Sequence, residues 1–295
     1  MIDFLQYVIT GVFIGMLYAL IALAINVIYR AGRILNFAQG EMVILGGFLV
    51  WWFTASVQLP LWLGLAAGFT VSILVGLLIE RGIFRPMIGQ PIFSLVMTTI
   101  GLMILLRGVM LVIWGAQQRP FPAVFSTKPL MLGPIILNQA VFWGGAISLV
   151  LFALISYLFE HTKEGLKLTV VAEDHQVAQS LGISVKAAIA LAWAIGGGLS
   201  TFAALVFLNG ASLDFLASEI GLRALPVALL AGLESIWGLA LAGIIVGVGE
   251  AVASAYLDPY LGGGGFSQAF PYILMLFIVL FRPQGLFGWK IIERV

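Results

Sequence analysis

The sequence predicts an all-α membrane protein, a polytopic helix bundle of about nine crossings with eight as the alternative. Three observations point there. Of 295 residues, 62% are hydrophobic and only 9% are charged, with a mean hydropathy of +1.13. A soluble domain of this size carries roughly 25% charged residues, so most of this exterior must face lipid. Long apolar runs recur along the chain, each near the ~20 residues that cross the hydrocarbon as a helix. No ten-residue alternation suggests a barrel, and a lipid-exposed backbone must bond within its own segment, so the runs are read as helices.

Six segments meet that length easily, roughly 4–29, 38–56, 60–80, 91–114, 137–159 and 187–209. A longer apolar region follows at 215–257, and a last span at 269–288. The start, "MIDFLQYVITG", lacks the basic region of a cleavable signal, so the first helix is expected to be retained. Lys and Arg near the span ends set the orientation. Arg30 and Arg33, then Arg81 and Arg85, then Lys163, Lys167 and Lys186 follow the first, third and fifth spans. Those ends are expected in the cytoplasm, with the N-terminus outside. The tail "FRPQGLFGWKIIERV" adds Arg282, Lys290 and Arg294 on the same side, which makes the number of crossings odd. Region 215–257 then crosses twice, turning near Gly232–Gly238, its first half short and broken by Pro226. The whole chain, 1–295, reads as a single transmembrane domain, with Thr169–Gly182 cytoplasmic and Pro259–Ser267 external.

Composition also excludes. A net charge of +1 with scattered Lys and Arg gives no nucleic-acid patch. Without cysteine there is no disulfide framework, thiolate metal site or Cys nucleophile. His161 and His175 stand apart from any ligand cluster, so no metal site is expected. No phosphate loop of the form G-x-x-x-x-G-K-[ST] occurs, and Gly262–Gly265 reads as a flexible turn. This chain is expected to catalyse nothing and to bind no cofactor.

Two polar features remain. In "RILNFAQGEMVILGG", Asn36, Gln39 and Glu41 fall within six residues at the inner end of a span. Polar groups there are costly unless paired or functional, and they are candidates for lining or shaping a translocation pathway. Arg107 and Glu250 are further intramembrane charges, with Glu234 nearer a turn; a structural pair of Arg107 with one of the carboxylates is the plainer reading. Glycines at small-xxx-small spacing (Gly11/Gly15, Gly64/Gly68, Gly243/Gly247) predict close helix crossings.

The other feature is the polar stretch 160–186. Val170, Val171, Val177, Ala178 and Leu181 recur there at helical spacing, with Glu173, Asp174, Gln176 and Gln179 between them. Gly182 is placed to end the helix. The polar face is acidic, which suits anionic lipid poorly and favours a cytoplasmic protein partner.

These stretches carry a resemblance. "YALIALAINVIYRAGRILNFAQGEMVILGGF", "VVAEDHQVAQSLGI", "LAGLESIWGLALAGIIVGVGEA" and "LFRPQGLFG" resemble, in order over nearly the whole chain, the LivH-type permeases of branched-chain amino acid ABC importers. The resemblance implies a multi-pass inner-membrane subunit with a type-II-importer-like helical fold. It implies a second, LivM-like permease, two cytoplasmic ATPase subunits that bind the ATP, and a periplasmic substrate-binding protein. It also implies that 160–186 is the ATPase coupling segment, with Val171, Glu173, Asp174, Val177, Leu181 and Gly182 as the candidate contacts. Two positions depart from the family pattern: Gln39 where His is common, which bears on the substrate, and Thr169 where Arg is common, which bears on the ATPase contact. Relatives also carry urea, short amides and other amino acids, which stand as alternative cargo. An ion-coupled secondary transporter is the competing class; it should show several intramembrane carboxylates or His and matched broken helices in two halves. Carboxylates are sparse and no internal repeat is evident, so the ABC permease is the favoured reading.

Overall fold

A computed structural model describes residues 2–132, 135–233, 235–261 and 265–288. It is a helix bundle built around α1 (Ile2–Gly32), whose stretch from Met16 to Ile28 is buried on every side. After it come α2 (Gln39–Trp51), α3 (Leu61–Ile79), α4 (Ile92–Trp114), α5 (Gln139–His161) and α8 (Val185–Phe207); α5 and α8 pack on α1, whereas α3 and α4 pack on α2. Between α5 and α8 lie two short helices, α6 (Lys163–Glu173) and α7 (His175–Ser180). The chain closes with α9 (Glu219–Ala231), α10 (Ile236–Tyr256) and α11 (Phe266–Phe281). Among the described residues, six helices are long and apolar enough to cross a membrane, while α2, α9 and α11 are shorter.

Small residues decide which helices meet. The pairs Gly11/Gly15 and Gly243/Gly247 face each other where α1 crosses α10. A Cβ on Gly15 would run into the Gly243 carbonyl, and one on Gly247 into that of Gly11. Gly64 and Gly68 of α3 receive Thr54 and Val50 in the same way. Lipid supplies no hydrophobic drive between helices, so backbone approach of this kind is what holds such crossings.

Two opposite ends emerge. At one, the Arg30 guanidinium lies 4.3 Å from the Phe159 ring and Arg33 donates to the Ala172 carbonyl at 2.8 Å. Arg85 there forks onto the buried Glu80 at 2.9 and 3.1 Å. The ends of α1, α3 and α5 that carry the Lys and Arg therefore lie together, as the charge pattern requires of a cytoplasmic face. At the other end, β1 (Arg119–Pro120) pairs with β4 (Ser212–Leu213), and β2 (Pro129–Leu132) with β3 (Ile135–Asn138), both antiparallel. Helix starts near the surfaces are capped by side chains: Asn138 for α5, Thr162 for α6, Ser184 for α8 and Ser235 for α10.

Three boundaries differ from the sequence expectation. The predicted first span ends three residues later than expected, and the chain then leaves the helix for 33–38 before α2 begins. Region 215–257 does divide as expected, into α9 and α10, but α9 has 13 residues, about 20 Å, short of the ~30 Å hydrocarbon. The last helix stops at Phe281 instead of continuing to 288. Pro283 disfavours helix in the residue before it, and Gly285 turns the chain with φ +77°. The turn lets Leu286 and Phe287 donate backbone N–H groups to Leu230 and Ala231 at 2.8 and 3.2 Å, closing the carbonyl end of α9. Glu234, Lys290, Arg294 and Gly262–Gly264 lie outside the described residues.

Candidate pathway and coupling sites

The stretch between α1 and α2 rises into the bundle without helical hydrogen bonds. Arg33 opens it with φ +54°, an uncommon conformation for a residue with a side chain. Asn36 then stands in for the missing helix. Its Oδ1 accepts the Ala38 N–H at 3.1 Å, and its Nδ2 donates to Gln39 Oε1 at 2.9 Å. Gln39 Nε2 donates in turn to Ser200 Oγ on α8 at 2.6 Å, and Thr99 of α4 donates to the Leu35 carbonyl at 3.1 Å. Irregular backbone at membrane depth is tolerated only when buried in protein, and Asn36 and Gln39 are buried.

Depth follows from α4. Thr99 lies seven residues into that helix, about 10 Å, and Arg107 fifteen, about 22 Å. Arg107 Nε donates to Glu41 Oε1 at 3.0 Å and its Nη2 to Ser218 Oγ at 2.7 Å. The start of α2 therefore sits beyond the middle of the membrane: the polar cluster lies at the inner end of that helix, and the helix begins deep in the bundle. Glu41 is 2% exposed, with Oε2 buried and without a donor, while the Arg107 side chain is 47% exposed. Gly40 of α2 and Gly221 of α9 meet backbone to backbone beside this pair, so α9 begins at the same depth. The carboxylate partner expected for Arg107 is thus Glu41, brought from 66 residues away in sequence.

Glu250 has a different partner. Arg223 of α9 donates from Nη1 to Glu250 Oε1 at 3.1 Å, and Glu250 Oε2 is buried without a donor. Arg223 was missed because it lies in the apolar region 215–257, where it reads as one charge in a span. Asn26 was missed for the same reason; it is fully buried and donates from α1 to the Leu233 carbonyl in the turn between α9 and α10. Its signal was a lone amide within an otherwise apolar run.

On the coupling stretch, the single expected helix is two. Asp174 leaves helical geometry and caps α7, its Oδ1 accepting the N–H groups of Gln176 and Val177 at 2.6 and 3.1 Å. A carboxylate at that place favours a new helix start over continuation. Val171 and Ala178 are buried against the bundle, whereas Val177 is 50% and Leu181 65% exposed. Glu173 is exposed beside them. Gly182 ends α7 with φ +74°, the Gly182 N–H reaching the Gln179 carbonyl at 3.0 Å and the Ile183 N–H that of Ala178 at 2.9 Å, a Schellman closure. The result is a two-helix projection at the basic end of the molecule, tied to α1 by Arg33.

This architecture meets a known family: residues 7–279 match the one described as the permease component of branched-chain amino acid transport systems. The chain belongs to that family. Relatives include the high-affinity branched-chain amino acid permease LivH of Salmonella typhimurium and that of Escherichia coli K12. Each is 27% identical over 308 residues, covering 99% of this chain and 98% of the relative. BraD of Pseudomonas aeruginosa, named for the same role, is 28% identical over 312 residues with the same coverage. No solved structure gives a significant match. The protein is a multi-pass inner-membrane permease subunit of an ABC importer and a transport component, not an enzyme, and it works with other subunits of such a system.

Proposed function

We propose that this permease carries branched-chain amino acids, or amino acids close to them, and does so paired with a second, LivM-like permease. Two cytoplasmic ATPase subunits bind and hydrolyse the ATP, and a periplasmic binding protein delivers the substrate. The observation that carries the ATPase reading is the α6–α7 projection, with Val177 and Leu181 exposed one turn apart and Val171 and Ala178 anchoring it to the bundle. An apolar knob with carboxylates at its rim, held on the basic face, suits docking into a groove of a soluble partner. Asn36, Gln39 and Glu41 shape the pathway from behind, by holding the unwound stretch 33–38 at depth. The substrate reading is supported by the relatives named for branched-chain amino acids over their full lengths.

The test is uptake into vesicles reconstituted with the full importer, alongside ATP hydrolysis by the same preparation. Buried anchors dominate interface energy and rim groups add little. Val177→Asp is expected to release the ATPase or to uncouple hydrolysis from uptake, whereas Gln176→Ala is nearly silent. Normal coupled uptake by Val177→Asp would remove the projection from the mechanism.

A further inference from the structure

A recess of about 80 Å³ opens between α1, α8 and α9, lined by Tyr18, Phe207, Leu216, Glu219, Ile220 and Arg223. Its polar groups are out of balance. Arg223 is the cation, bonded to Glu250, and Glu219, one helical turn earlier on α9, lines the same recess. Glu219 is exposed and makes no side-chain hydrogen bond or ion pair among the described residues. It follows Ser218, which Arg107 bonds about 22 Å along α4, some two thirds of the way along that helix. A solvated carboxylate at that depth is not compatible with lipid, which makes the recess mouth part of a polar route. Around the charges the wall is apolar: Phe207 is 42% and Leu216 72% exposed at the opening, with Ile220 buried behind them.

We propose that this recess is a substrate station for the charged head of an aliphatic α-amino acid. The carboxylate is taken by Arg223, beside Tyr18, and the ammonium by Glu219, while the side chain rests on Phe207 and Leu216. Size and charge agree with that assignment. The volume is that of two or three water molecules, enough for the ammonium and carboxylate but not for a whole leucine, which leaves the side chain at the apolar mouth. Arg223 keeps donors beyond its bond to Glu250, and Glu219 has no cation of its own among the described residues, so a zwitterion offers an acceptor to the first and an ammonium to the second. Urea or a neutral amide would leave Glu219 without a counter-charge. The assignment rests on the amino-acid reading above and adds the place and the contacts.

The chain contains no cysteine, so one introduced at position 219 is its only reactive thiol. In the reconstituted importer, Glu219→Cys is expected to lower L-leucine uptake about tenfold, the loss of one charge-assisted hydrogen bond. Assembly and ATP hydrolysis should be intact. Modification with a sulfonatoethyl thiosulfonate, which restores a negative charge, should recover uptake, and the trimethylammonium-ethyl reagent should not; the unmutated importer treated with both is the control. Unchanged uptake, or the same response to both reagents, would overturn the station. Leu216→Cys gives an independent check, because a bulky adduct at the mouth should block uptake; free uptake after full modification would equally overturn it. If the unmutated importer moves no amino acid at all, the proposed function falls and takes the station with it. If it moves L-leucine and the variants behave like it, the station alone falls.

Discussion

Two polar centres lie at similar depth in this bundle and are built in opposite ways. Around Asn36, Gln39 and Glu41 every amide is bonded inside the chain, and the one carboxylate meets the one guanidinium of Arg107. Around Arg223 a recess is present, the wall is apolar, and Glu219 is left over. The first centre replaces helical hydrogen bonds where the backbone is unwound. The second holds charge that the chain does not itself neutralise. Intramembrane polarity alone does not separate a structural pin from a ligand site; charge balance and free space do.

The largest expected break in that comparison is Arg107→Leu. It strands the buried Glu41 carboxylate, a loss of about 3 kcal/mol once the half-exposure of the arginine is allowed for. The midpoint of thermal unfolding of the purified subunit should fall clearly, and adding Glu41→Gln should recover most of it. An unshifted midpoint for Arg107→Leu would show that the pair is not what holds α2 to α4.

Gln39→Leu comes next. It removes the acceptor for Asn36 and the donor to Ser200, roughly 1–3 kcal/mol for buried groups left without partners. Uptake is expected to drop while the importer still assembles. Unaltered uptake of every amino acid and amide tested would confine the cluster to a structural role.

Glu219→Gln sharpens the contrast from the other side. Among the described residues the carboxylate has no side-chain partner, so stability should stay within about ±0.5 kcal/mol while transport falls. A variant that unfolds as readily as Arg107→Leu would place Glu219 with the first centre.

The smallest effect belongs to the turn between α10 and α11, outside both centres. Asp258 accepts the Ser267 hydroxyl at 2.6 Å and the N–H groups of Phe266 and Ser267 at 3.1 Å, which hold its carboxyl below the usual range. A group whose pKa is lowered by folding stabilises the fold above its unfolded value, and that contribution is lost as pH falls through the folded one. Amide exchange at Phe266 and Ser267 should therefore be slow at neutral pH and rise under acid conditions, and Asp258→Asn should remove the pH dependence. Equal exchange in both proteins at low and neutral pH would show that the carboxylate does not close the turn.

Much of the helix layout was legible because lipid imposes a length and an apolar composition on each span. The split of 215–257, the glycine pairs of α1 and α10, and the Gly182 stop follow from local rules that hold wherever the chain goes. The break at Asp174 was legible in principle, as a capping carboxylate inside a helical pattern, but periodicity across Val170–Leu181 spoke louder.

By itself, then, the sequence determined a polytopic helical permease, one basic face, which the charge rule assigns to the cytoplasm, and an acidic-and-apolar helical element on that face. Those features depend on composition, charge position and residues within a few turns of each other. Only the tertiary structure decided that Arg107 belongs to Glu41 and Arg223 to Glu250, that Gln39 reaches Ser200, and that Glu219 is left with a recess. Each of these joins helices separated by tens to more than a hundred residues. The energy of a buried charge is set by whichever group packing brings within about 3 Å, and distance along the chain carries no record of that.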